Sequence, residues 1–246
     1  MLAAERRDLL LARLHVDGKL VAKELAEELG LSEDSLRRDL RELASAGLCQ
    51  RVYGGALPVS PAIADIATRS HVEPASKQRI ASRAAELIVP GCSVILDGGT
   101  TTAAVVAALP MNLACTVITH SPTIATALLD HPGIDVFLLG GRLFKHSAVA
   151  CGTVAVEAAR NISADVFLLG VTGVHPTEAL TTGDSEEAAM KRALASRAAD
   201  TYVLASTEKI GAASRYRVMS LRDVAGVITD APESPLLDGL RDAGAH

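Results

Sequence analysis

Residues 21–55, VAKELAEELGLSEDSLRRDLRELASAGLCQRVYGG, predict two helices joined by a tight turn and followed by a short basic hairpin. The apolar residues of 21–29 repeat at the spacing of one helix face, and Gly30 ends that helix as glycines past helix ends commonly do. Ser32 is a favourable N-cap for the helix that follows. Upstream, residues 5–15 carry leucines between arginines and predict a further amphipathic helix. Three helices and a hairpin in this order predict a winged helix-turn-helix.

The last of these helices is expected to have two different faces. Leu36, Leu40 and Leu43 recur at intervals of four and three residues and should face the core. Polar side chains then project outward, and arginine suits a DNA contact because its planar fork binds phosphates or a guanine edge with two hydrogen bonds. A strand at residues 48–51 and a glycine pair shortly after it predict the wing. The predicted DNA-binding residues are Ser32, Ser35, Arg37, Arg38, Arg41, Arg51 and Tyr53.

The charge of this region leaves a plainer alternative open. Residues 31–58 hold four arginines, but Glu33, Asp34, Asp39 and Glu42 balance them, so the stretch is not net basic. A helix with exposed arginines is often only a solvated helix. The order of the helices, the glycine-containing turn and the basic hairpin favour DNA binding over that alternative.

The stretch ELAEELGLSEDSLRRDLRELASAGLCQRVYGGA resembles the DNA-binding module of DeoR-type bacterial repressors. The pattern of that family runs roughly ELA, L-x-V-S, T-I-R-R-D-L, L, G and R-x-H-G-G-A, and the match is dense and contiguous. The resemblance implies that residues 32–45 form the recognition helix and residues 51–55 the wing. Tyr53 departs from the histidine that is usual in the family, but its hydroxyl can still donate a hydrogen bond to a phosphate.

The composition limits the class of protein. The chain has 246 residues, 49% of them hydrophobic and only 2% aromatic, so an aliphatic core is expected. No run reaches the roughly 18 apolar residues of a membrane span and the N-terminus lacks a signal-peptide pattern, so a cytoplasmic protein without a membrane contact is expected. The four cysteines are scattered singly, which predicts neither a metal site nor a disulfide framework. The net charge of −5 argues against a protein that coats nucleic acid generally.

Beyond a linker at residues 58–75, short apolar strands alternate with helical stretches. Their continuous apolar character predicts a parallel sheet buried between helices. The predicted fold class is therefore α/β, with a winged helix-turn-helix at residues 1–57 and a Rossmann-like parallel-sheet effector domain at residues 76–246. Ligands of such folds bind at the carboxyl ends of the strands. The predicted strands are residues 93–96, 115–119, 135–139, 165–169, 201–205 and 224–229.

The segment after the first of these strands, Asp97-Gly98-Gly99-Thr100-Thr101-Thr102, opens a predicted helix. Glycines let backbone N–H groups approach a ligand, the helix N-terminus attracts an anion, and threonine hydroxyls add donors. The segment is not G-x-G-x-x-G, so no dinucleotide cofactor is predicted. The alternative is an ordinary tight turn between a strand and a helix.

The ends of the next three strands supply further candidates. His120 follows the second strand, where it could contact a ligand, although a lone histidine is more often structural. Gly141 follows the third strand, and Gly170 and Gly173 follow the fourth.

A polar loop at residues 175–184 leads into the next candidates. Glu187 and Lys191 lie one helical turn apart and are expected to face the ligand. They are equally compatible with a capping box of Asp184 with Glu187 and an i, i+4 ion pair. Lys209 follows the fifth strand as a phosphate or hydroxyl contact. The predicted effector-binding residues are Asp97, Gly98, Gly99, Thr100, Thr101, Thr102, His120, Gly141, Gly170, Gly173, Glu187, Lys191 and Lys209.

These strand ends resemble the effector domain of the DeoR family over nearly all of the remaining chain. The family pattern contains D-x-G-T-T, a glycine pair, G-x-x-G, an E-x-x-x-K stretch and D-S-S-K. The resemblance implies a fold similar to ribose-5-phosphate isomerase that senses phosphorylated sugars or related metabolites. Two departures fall where the ligand is expected: His120 replaces the usual asparagine and Ala205 the usual aspartate, for which Glu208 is a candidate substitute.

Two motif sets in one chain predict a transcriptional regulator rather than an enzyme. The expected function is repression of a carbohydrate-catabolic operon, with a phosphorylated sugar or related metabolite releasing the protein from operator DNA. No catalytic residue, metal or cofactor is predicted. Because helix-turn-helix proteins usually bind paired half-sites, a homo-oligomer, dimer or tetramer, is expected. The alternatives are an aldose–ketose phosphate isomerase with Glu187 as general base and a metabolite-binding module without regulation; the DNA module argues against both.

Overall fold

The chain begins with three helices and a small antiparallel sheet. The structure, a computed structural model, describes residues 2–245 apart from the side chains of His15 and Pro61. In this first part β3 lies between β1 and β2 and pairs antiparallel with both, which confirms the predicted winged helix-turn-helix. The elements are α1 (Ala3–Asp17), β1 (Leu20–Val21), α2 (Ala22–Leu29), α3 (Glu33–Ser45), β2 (Gln50–Val52) and β3 (Gly55–Leu57).

Local sequence explains where these elements begin and end. Gly30 ends α2 in the left-handed conformation with φ of 63°. Ser32 caps α3, because its side-chain oxygen accepts a hydrogen bond from the Ser35 N–H at 3.3 Å. α2 begins one residue later than predicted, because Val21 belongs to β1 and pairs with Gly55. A Cβ on Gly55 would lie 1.8 Å from a carbonyl oxygen of β1, so this pairing requires glycine.

The rest of the chain alternates strands and helices as predicted. None of the helices in the described part of the chain has the length and apolar character that crossing a membrane requires. The elements are α4 (Ile66–Ser70), α5 (Pro74–Ala85), β4 (Ser93–Leu96), α6 (Thr100–Ala108), β5 (Cys115–Thr119), α7 (Pro122–Ala127), β6 (Ile134–Leu138), β7 (Arg142–Phe144), β8 (Val149–Cys151), α8 (Thr153–Ala159), β9 (Ala164–Gly170), β10 (Gly173–His175), β11 (Ala179–Thr182), α9 (Ser185–Ala195), β12 (Ala198–Leu204), β13 (Tyr216–Met219), β14 (Gly226–Ile228) and α10 (Pro235–Asp242).

Six of these strands form one parallel sheet in the order β14-β12-β9-β4-β5-β6. The chain passes from β4 outward through β5 to β6 and then returns to β9, on the other side of β4. The direction of winding therefore reverses between β4 and β9. In open α/β sheets such a reversal opens a crevice at the carboxyl ends of the two strands, where ligands bind.

Successive residues of the central strands point to opposite faces of the sheet and build two separate cores. Ile95 and Phe167 pack on one face with α8, α9 and α10. Val94 and Leu168 pack on the other face with α5, α6 and α7. All four side chains are fully buried, and burying each contributes roughly 1.5–3 kcal/mol. This two-sided burial explains why the strands read as uninterrupted apolar runs.

Two small antiparallel sheets lie outside the parallel sheet and were not predicted. β7 pairs with β8, and β11 lies between β10 and β13. Residues 175–184, predicted to be a polar loop, include all of β11, whose Thr181 and Thr182 are buried. These strands have three or four residues each, too few to show a clear hydrophobic period.

Candidate functional site

The outward face of α3 carries the predicted DNA contacts. Leu36, Leu40 and Leu43 are buried in the core of the first three helices. Arg38 and Arg41, which lie between them in sequence, are exposed on the opposite face of the helix. An apolar stripe on one face and arginines on the other is the arrangement that lets a recognition helix pack on its domain and still enter a groove.

Two of the four acids that offset these arginines in the sequence point away from the outward face. Asp39 is only 2% exposed and accepts hydrogen bonds from Arg6 of α1, at 2.5 Å from Nε and 3.0 Å from Nη2. Glu42 pairs with Arg7, also on α1. The side of α3 that can meet DNA is therefore more basic than its sequence alone indicates, because α1 neutralises two of its carboxylates.

The remaining predicted DNA contacts lie on the same exposed side or on the wing. Arg37 is exposed but pairs with Glu33 at 2.6 Å. Tyr53, at the wing turn, is fully exposed, and Arg51 on β2 is exposed as well. Within residues 2–245 neither Arg38 nor Arg51 has an ion pair, so both guanidinium groups are available to phosphates. Ser32 and Ser35 lie at the N-terminus of α3, where Ser32 also serves as the cap.

A cavity opens at the carboxyl ends of β4 and β9, where the winding of the sheet reverses. The space between its walls, including the part that is open to solvent, is about 460 Å³. The glycines and threonines after β4 form its floor, and α6 begins there at Thr100. Its lining residues are Ala62, Arg69, Val72, Lys77, Gly98, Gly99, Thr100, Thr101, Thr102, Gly170, Val171, Thr172, Thr182, Glu187, Lys191, Glu208 and Lys209.

Asp97 lies fully buried behind this cavity, and its carboxylate connects segments of the chain that surround the cavity. One oxygen, Oδ1, accepts from the Gly98 N–H at 2.8 Å and lies 2.8 Å from His120 Nε2. The other, Oδ2, accepts from the Gly170 N–H at 2.8 Å and from Lys191 Nζ at 2.5 Å. Burial alone would raise the pKa of Asp97, but the charge of Lys191 and the hydrogen bond with His120 outweigh it and hold the pKa well below its usual value.

His120 does not line the cavity, so the prediction that it contacts the effector is corrected. The side chain is fully enclosed, with Nδ1 2.8 Å from the Ala150 carbonyl oxygen and Nε2 facing Asp97. Each ring nitrogen therefore has a hydrogen-bonding partner inside the protein. His120 therefore joins β5 to β4 and β8 and supports the site from behind.

Glu187 and Lys191 form the i, i+4 ion pair considered for them, and both lie on the cavity wall. Asp184 caps α9 by accepting from the Glu187 N–H at 2.9 Å, but the Glu187 carboxylate does not complete a capping box. It accepts from Thr182 Oγ1 at 2.8 Å and lies 3.4 Å from Lys191 Nζ, on the cavity wall. Burial would lower the pKa of Lys191, but Asp97 and Glu187 outweigh it and raise the pKa.

The other cations of the cavity lack such partners. Burial, together with the charges of Arg69, Lys77 and Lys191, lowers the pKa of Lys209 to about 8, although the charge of Glu208 opposes this shift. Lys209 Nζ has a single long hydrogen bond, 3.4 Å to Thr101 Oγ1. Burial also lowers the pKa values of Lys77 and Arg69.

Several buried polar atoms of the cavity residues have no hydrogen-bond partner within the described structure. They are Arg69 Nε, Thr102 Oγ1 and the Oε2 atom of Glu208. Unsatisfied buried donors and acceptors are rare in folded proteins, and a bound water or ion is one reason for them. Two donors and an acidic acceptor suit an anion that also carries hydroxyl groups.

Nine of the thirteen predicted effector residues lie on the cavity wall, and four do not. Asp97 and His120 lie behind the wall. Gly141 packs against Ala155 and Gly173 against Ala212, so both glycines serve backbone packing. The residues of the wall are Gly98, Gly99, Thr100, Thr101, Thr102, Gly170, Glu187, Lys191 and Lys209.

The sequence did not single out some residues of the wall. Arg69 and Lys77 fall in or beside the predicted linker, where nothing in the pattern pointed to a ligand. Thr172 and Thr182 face the cavity from the ends of the small sheet that was not predicted. Glu208, considered as a substitute for the missing acid at Ala205, does line the cavity.

A winged helix-turn-helix joined to a ligand-binding α/β domain is the architecture of a DNA-binding transcriptional regulator. Residues 6–62 match the family described as DeoR-like helix-turn-helix domain, and residues 72–231 match the DeoR C terminal sensor domain. The chain therefore belongs to the DeoR family, whose members are transcriptional regulators and not enzymes.

Two related transcriptional repressors align with almost the whole chain. It is 32% identical to the HTH-type transcriptional repressor GlcR of Bacillus subtilis, over 94% of this chain and 89% of that protein. It is 28% identical to the glycerol-3-phosphate regulon repressor of Escherichia coli, over 94% and 92% of the two chains. Among solved structures, ribose 5-phosphate isomerase A from Methanocaldococcus jannaschii aligns at 18% identity and a TM-score of 0.40, covering 54% of this chain and 52% of that one.

Proposed function

We propose that the protein represses a carbohydrate-catabolic operon and that a phosphorylated sugar or related metabolite releases it from operator DNA. The observation that carries the proposal is the cavity at the sheet reversal, which Arg69, Lys77, Lys191 and Lys209 line together. Within the described residues Lys191 is paired with carboxylates, whereas the other three cations form no ion pair, so the cavity favours an anion. The related glycerol-3-phosphate regulon repressor is consistent with a phosphorylated effector.

Different parts of the wall suit different parts of such a molecule. A phosphate would bind Lys209 and the N–H groups at the start of α6, since a helix N-terminus stabilises negative charge. Hydroxyl groups would donate to Glu208 and Glu187 and accept from Thr102. This division assigns the charged end of the effector to the glycine turn and its polyol end to the acids.

The proposal for DNA assigns α3 to the major groove and the wing to the backbone. Arg38 and Arg41 would contact base edges or phosphates, and Arg51 and Tyr53 phosphates beside the groove. Ser32, Ser35 and Arg37 complete the proposed contact surface. In this proposal residues 1–57 form the DNA-binding domain, residues 58–75 form the linker, and residues 76–246 form the domain that senses the effector.

We also propose a homo-oligomer, a dimer or a tetramer, in the cytoplasm. A single α3 reads only one half-site, whereas paired half-sites about one helical turn apart require two copies of the module. The operator lies in the compartment of the chromosome, so the protein must act there. Sedimentation of the full chain gives the number of copies, and a monomer at all concentrations would contradict this part of the proposal.

The test is fluorescence-anisotropy titration of a labelled duplex taken from upstream of the protein's own gene, at one stated salt concentration. The titration is repeated with a panel of sugar phosphates and their unphosphorylated sugars. Tight binding that one phosphorylated compound reverses, while its parent sugar does not, is the expected result. Binding no tighter than to a scrambled duplex would refute the proposal.

Arg38→Ala tests the DNA contact surface. Loss of one base or phosphate contact costs about 1–3 kcal/mol, so operator affinity should fall roughly 5- to 150-fold. Arg160→Ala is the matched control, since Arg160 is an exposed arginine at the end of α8 whose one ion pair among the described residues is with Glu157. Equal operator affinity of the two variants would remove Arg38 from the proposed surface.

A further inference from the structure

The linker between the wing and the sensor lies against the effector cavity. We call residues 62–72 the linker segment. Within it, the Ile66 N–H donates to the His146 carbonyl oxygen at 3.0 Å, and Arg69 Nη2 donates to Ser147 Oγ at 3.3 Å. Arg69 and Val72 line the cavity itself. The linker segment therefore supplies one wall of the cavity whose other walls belong to the sensor.

Arg69 carries a charge that the protein does not match. Its Nε atom is buried without a hydrogen-bond partner, and the Ser147 hydroxyl is the one partner of its guanidinium within the described residues. Of the nearby carboxylates, those of Asp97 and Glu187 are bound to Lys191, and that of Asp65 caps α4 by accepting from the Thr68 N–H. A largely buried guanidinium without a carboxylate is costly, and its planar fork matches a phosphate group with two hydrogen bonds.

Lys77 holds the backbone of the same segment. It lies on α5, is only 5% exposed and donates from Nζ to the carbonyl oxygens of Arg69 and Val72. Lys77 also lines the cavity. A phosphate oxygen is a stronger acceptor for an ammonium group than a neutral carbonyl is. An anion in the cavity would thus act on the linker segment twice, through the Arg69 side chain and through the lysine that holds its backbone.

We propose that Arg69 binds the phosphate of the effector directly, opposite Lys209, and that this bond changes how the linker segment is held on the sensor. The inference rests on the proposed function, because it assumes a phosphorylated effector in this cavity. The linker segment begins five residues after the wing strand β3. An effector that favours one position of this segment shifts the population of DNA-competent arrangements, which is what release requires.

The experiment measures phosphate binding to the full chain by isothermal titration, with inorganic phosphate as the probe at low chloride. Arg69→Gln removes the charge and keeps a polar side chain, whereas Arg69→Lys keeps the charge and loses the fork. Arg160→Gln is the control. Loss of a charge-assisted contact should weaken phosphate binding roughly ten- to hundredfold in the glutamine variant and by a smaller factor in the lysine variant, with the control unchanged.

Operator release is measured in a parallel experiment. Its readout is the phosphate concentration at which half of the labelled operator duplex is released, followed by fluorescence anisotropy. In Arg69→Gln this concentration should rise by at least the factor seen in the titration. Wild-type protein that binds no phosphate would overturn the anion site of the proposed function, and this inference with it. If the wild-type protein binds phosphate and both Arg69 variants bind it with the same Kd, the inference alone is overturned. It is also overturned if the Arg69 variants lose operator affinity while their phosphate affinity is unchanged. If Arg69→Gln does not fold, the Kd of Arg69→Lys decides.

Discussion

Asp97→Asn should destabilise the sensor strongly although it changes one atom. Asp97 accepts from four donors, two at each carboxylate oxygen. An asparagine offers oxygen at one position and an NH₂ group at the other. If the NH₂ group replaces Oδ2, it faces the Gly170 N–H and Lys191 Nζ; if it replaces Oδ1, it faces the Gly98 N–H and His120. Either orientation sets donor against donor in a fully buried place.

The magnitude follows from the charge that is left behind. Breaking a buried ion pair by removing one partner costs about 3–5 kcal/mol. Lys191 keeps Glu187 at 3.4 Å, so we expect the lower end, about 3 kcal/mol. A domain of this size loses about 2–4 °C of Tm per kcal/mol, which gives a decrease of roughly 6–12 °C. The double variant Asp97→Asn with Lys191→Met removes both charges and should recover part of this loss.

Thermal unfolding of the full chain, followed by circular dichroism at pH 7, measures the effect. Asp135→Asn is the control, because Asp135 is exposed on β6. The pKa of Asp97 is lowered in the folded state, so its stabilisation is present above the unfolded pKa of about 3.9 and is lost as the pH falls toward the folded pKa. The difference in Tm between wild type and Asp97→Asn should therefore shrink below about pH 4. A decrease under 2 °C at pH 7 would refute the reasoning.

Three further predictions concern the cavity, a glycine and the first helix. Effector affinity should rise as the phosphate monoester gains its second charge near pH 6 and should fall around pH 8, where half of Lys209 is deprotonated. Titration calorimetry across pH checks this, and an unchanged alkaline limb in Lys209→Met would contradict it. The charged groups that face Lys209 are Arg69, Lys77, Lys191 and Glu208. Gly173→Ala places a Cβ 2.3 Å from the Ala212 carbonyl oxygen, so overpacking should cost about 1–3 kcal/mol, and a Tm equal to that of wild type would contradict this. Arg6→Met leaves the Asp39 carboxylate buried without its partner, so the free energy of unfolding of the winged domain should fall by about 3–5 kcal/mol. Operator binding at 37 °C should be lost with it. The double variant Arg6→Met with Asp39→Leu should restore folding, and failure to do so would show that the pair matters by more than its charge.

The sequence predicted the parallel sheet well because its strands are buried on both faces. Residues 93–96 and 115–119, predicted as strands, coincide with β4 and β5. Such strands read as apolar runs bounded by turn residues, and that signal depends little on the rest of the chain. The small sheet of β10, β11 and β13 gave no such signal, because its strands are short and one of them is composed largely of threonines and small residues.

The candidate site could be predicted only where it follows a strand. Gly98 to Thr102 lie directly after β4, and parallel topology alone places them at the ligand edge. Arg69 and Thr182 reach the cavity through contacts far apart in sequence, which no local pattern encodes. His120 shows the converse case, since a residue at a strand end was expected to meet the ligand but turns inward to Asp97 and a carbonyl.

The charges around the cavity fall into two groups with different tasks. Asp97 and Glu187 pair with Lys191, and His120 forms a hydrogen bond with Asp97, so these four side chains hold one another in place at the site. Arg69, Lys77 and Lys209 are left over and come from three separate parts of the chain: the linker segment, α5 and the turn after β12. In the proposal made above, an anion bound by these three side chains changes how the linker segment is held on the sensor. Linkage then requires reciprocity: operator DNA must weaken effector binding by the same factor by which the effector weakens operator binding, typically about 5- to 150-fold. Titrating the effector into protein with and without saturating operator measures that factor, and equal affinities in the two titrations would mean that the linker segment transmits nothing between the two sites.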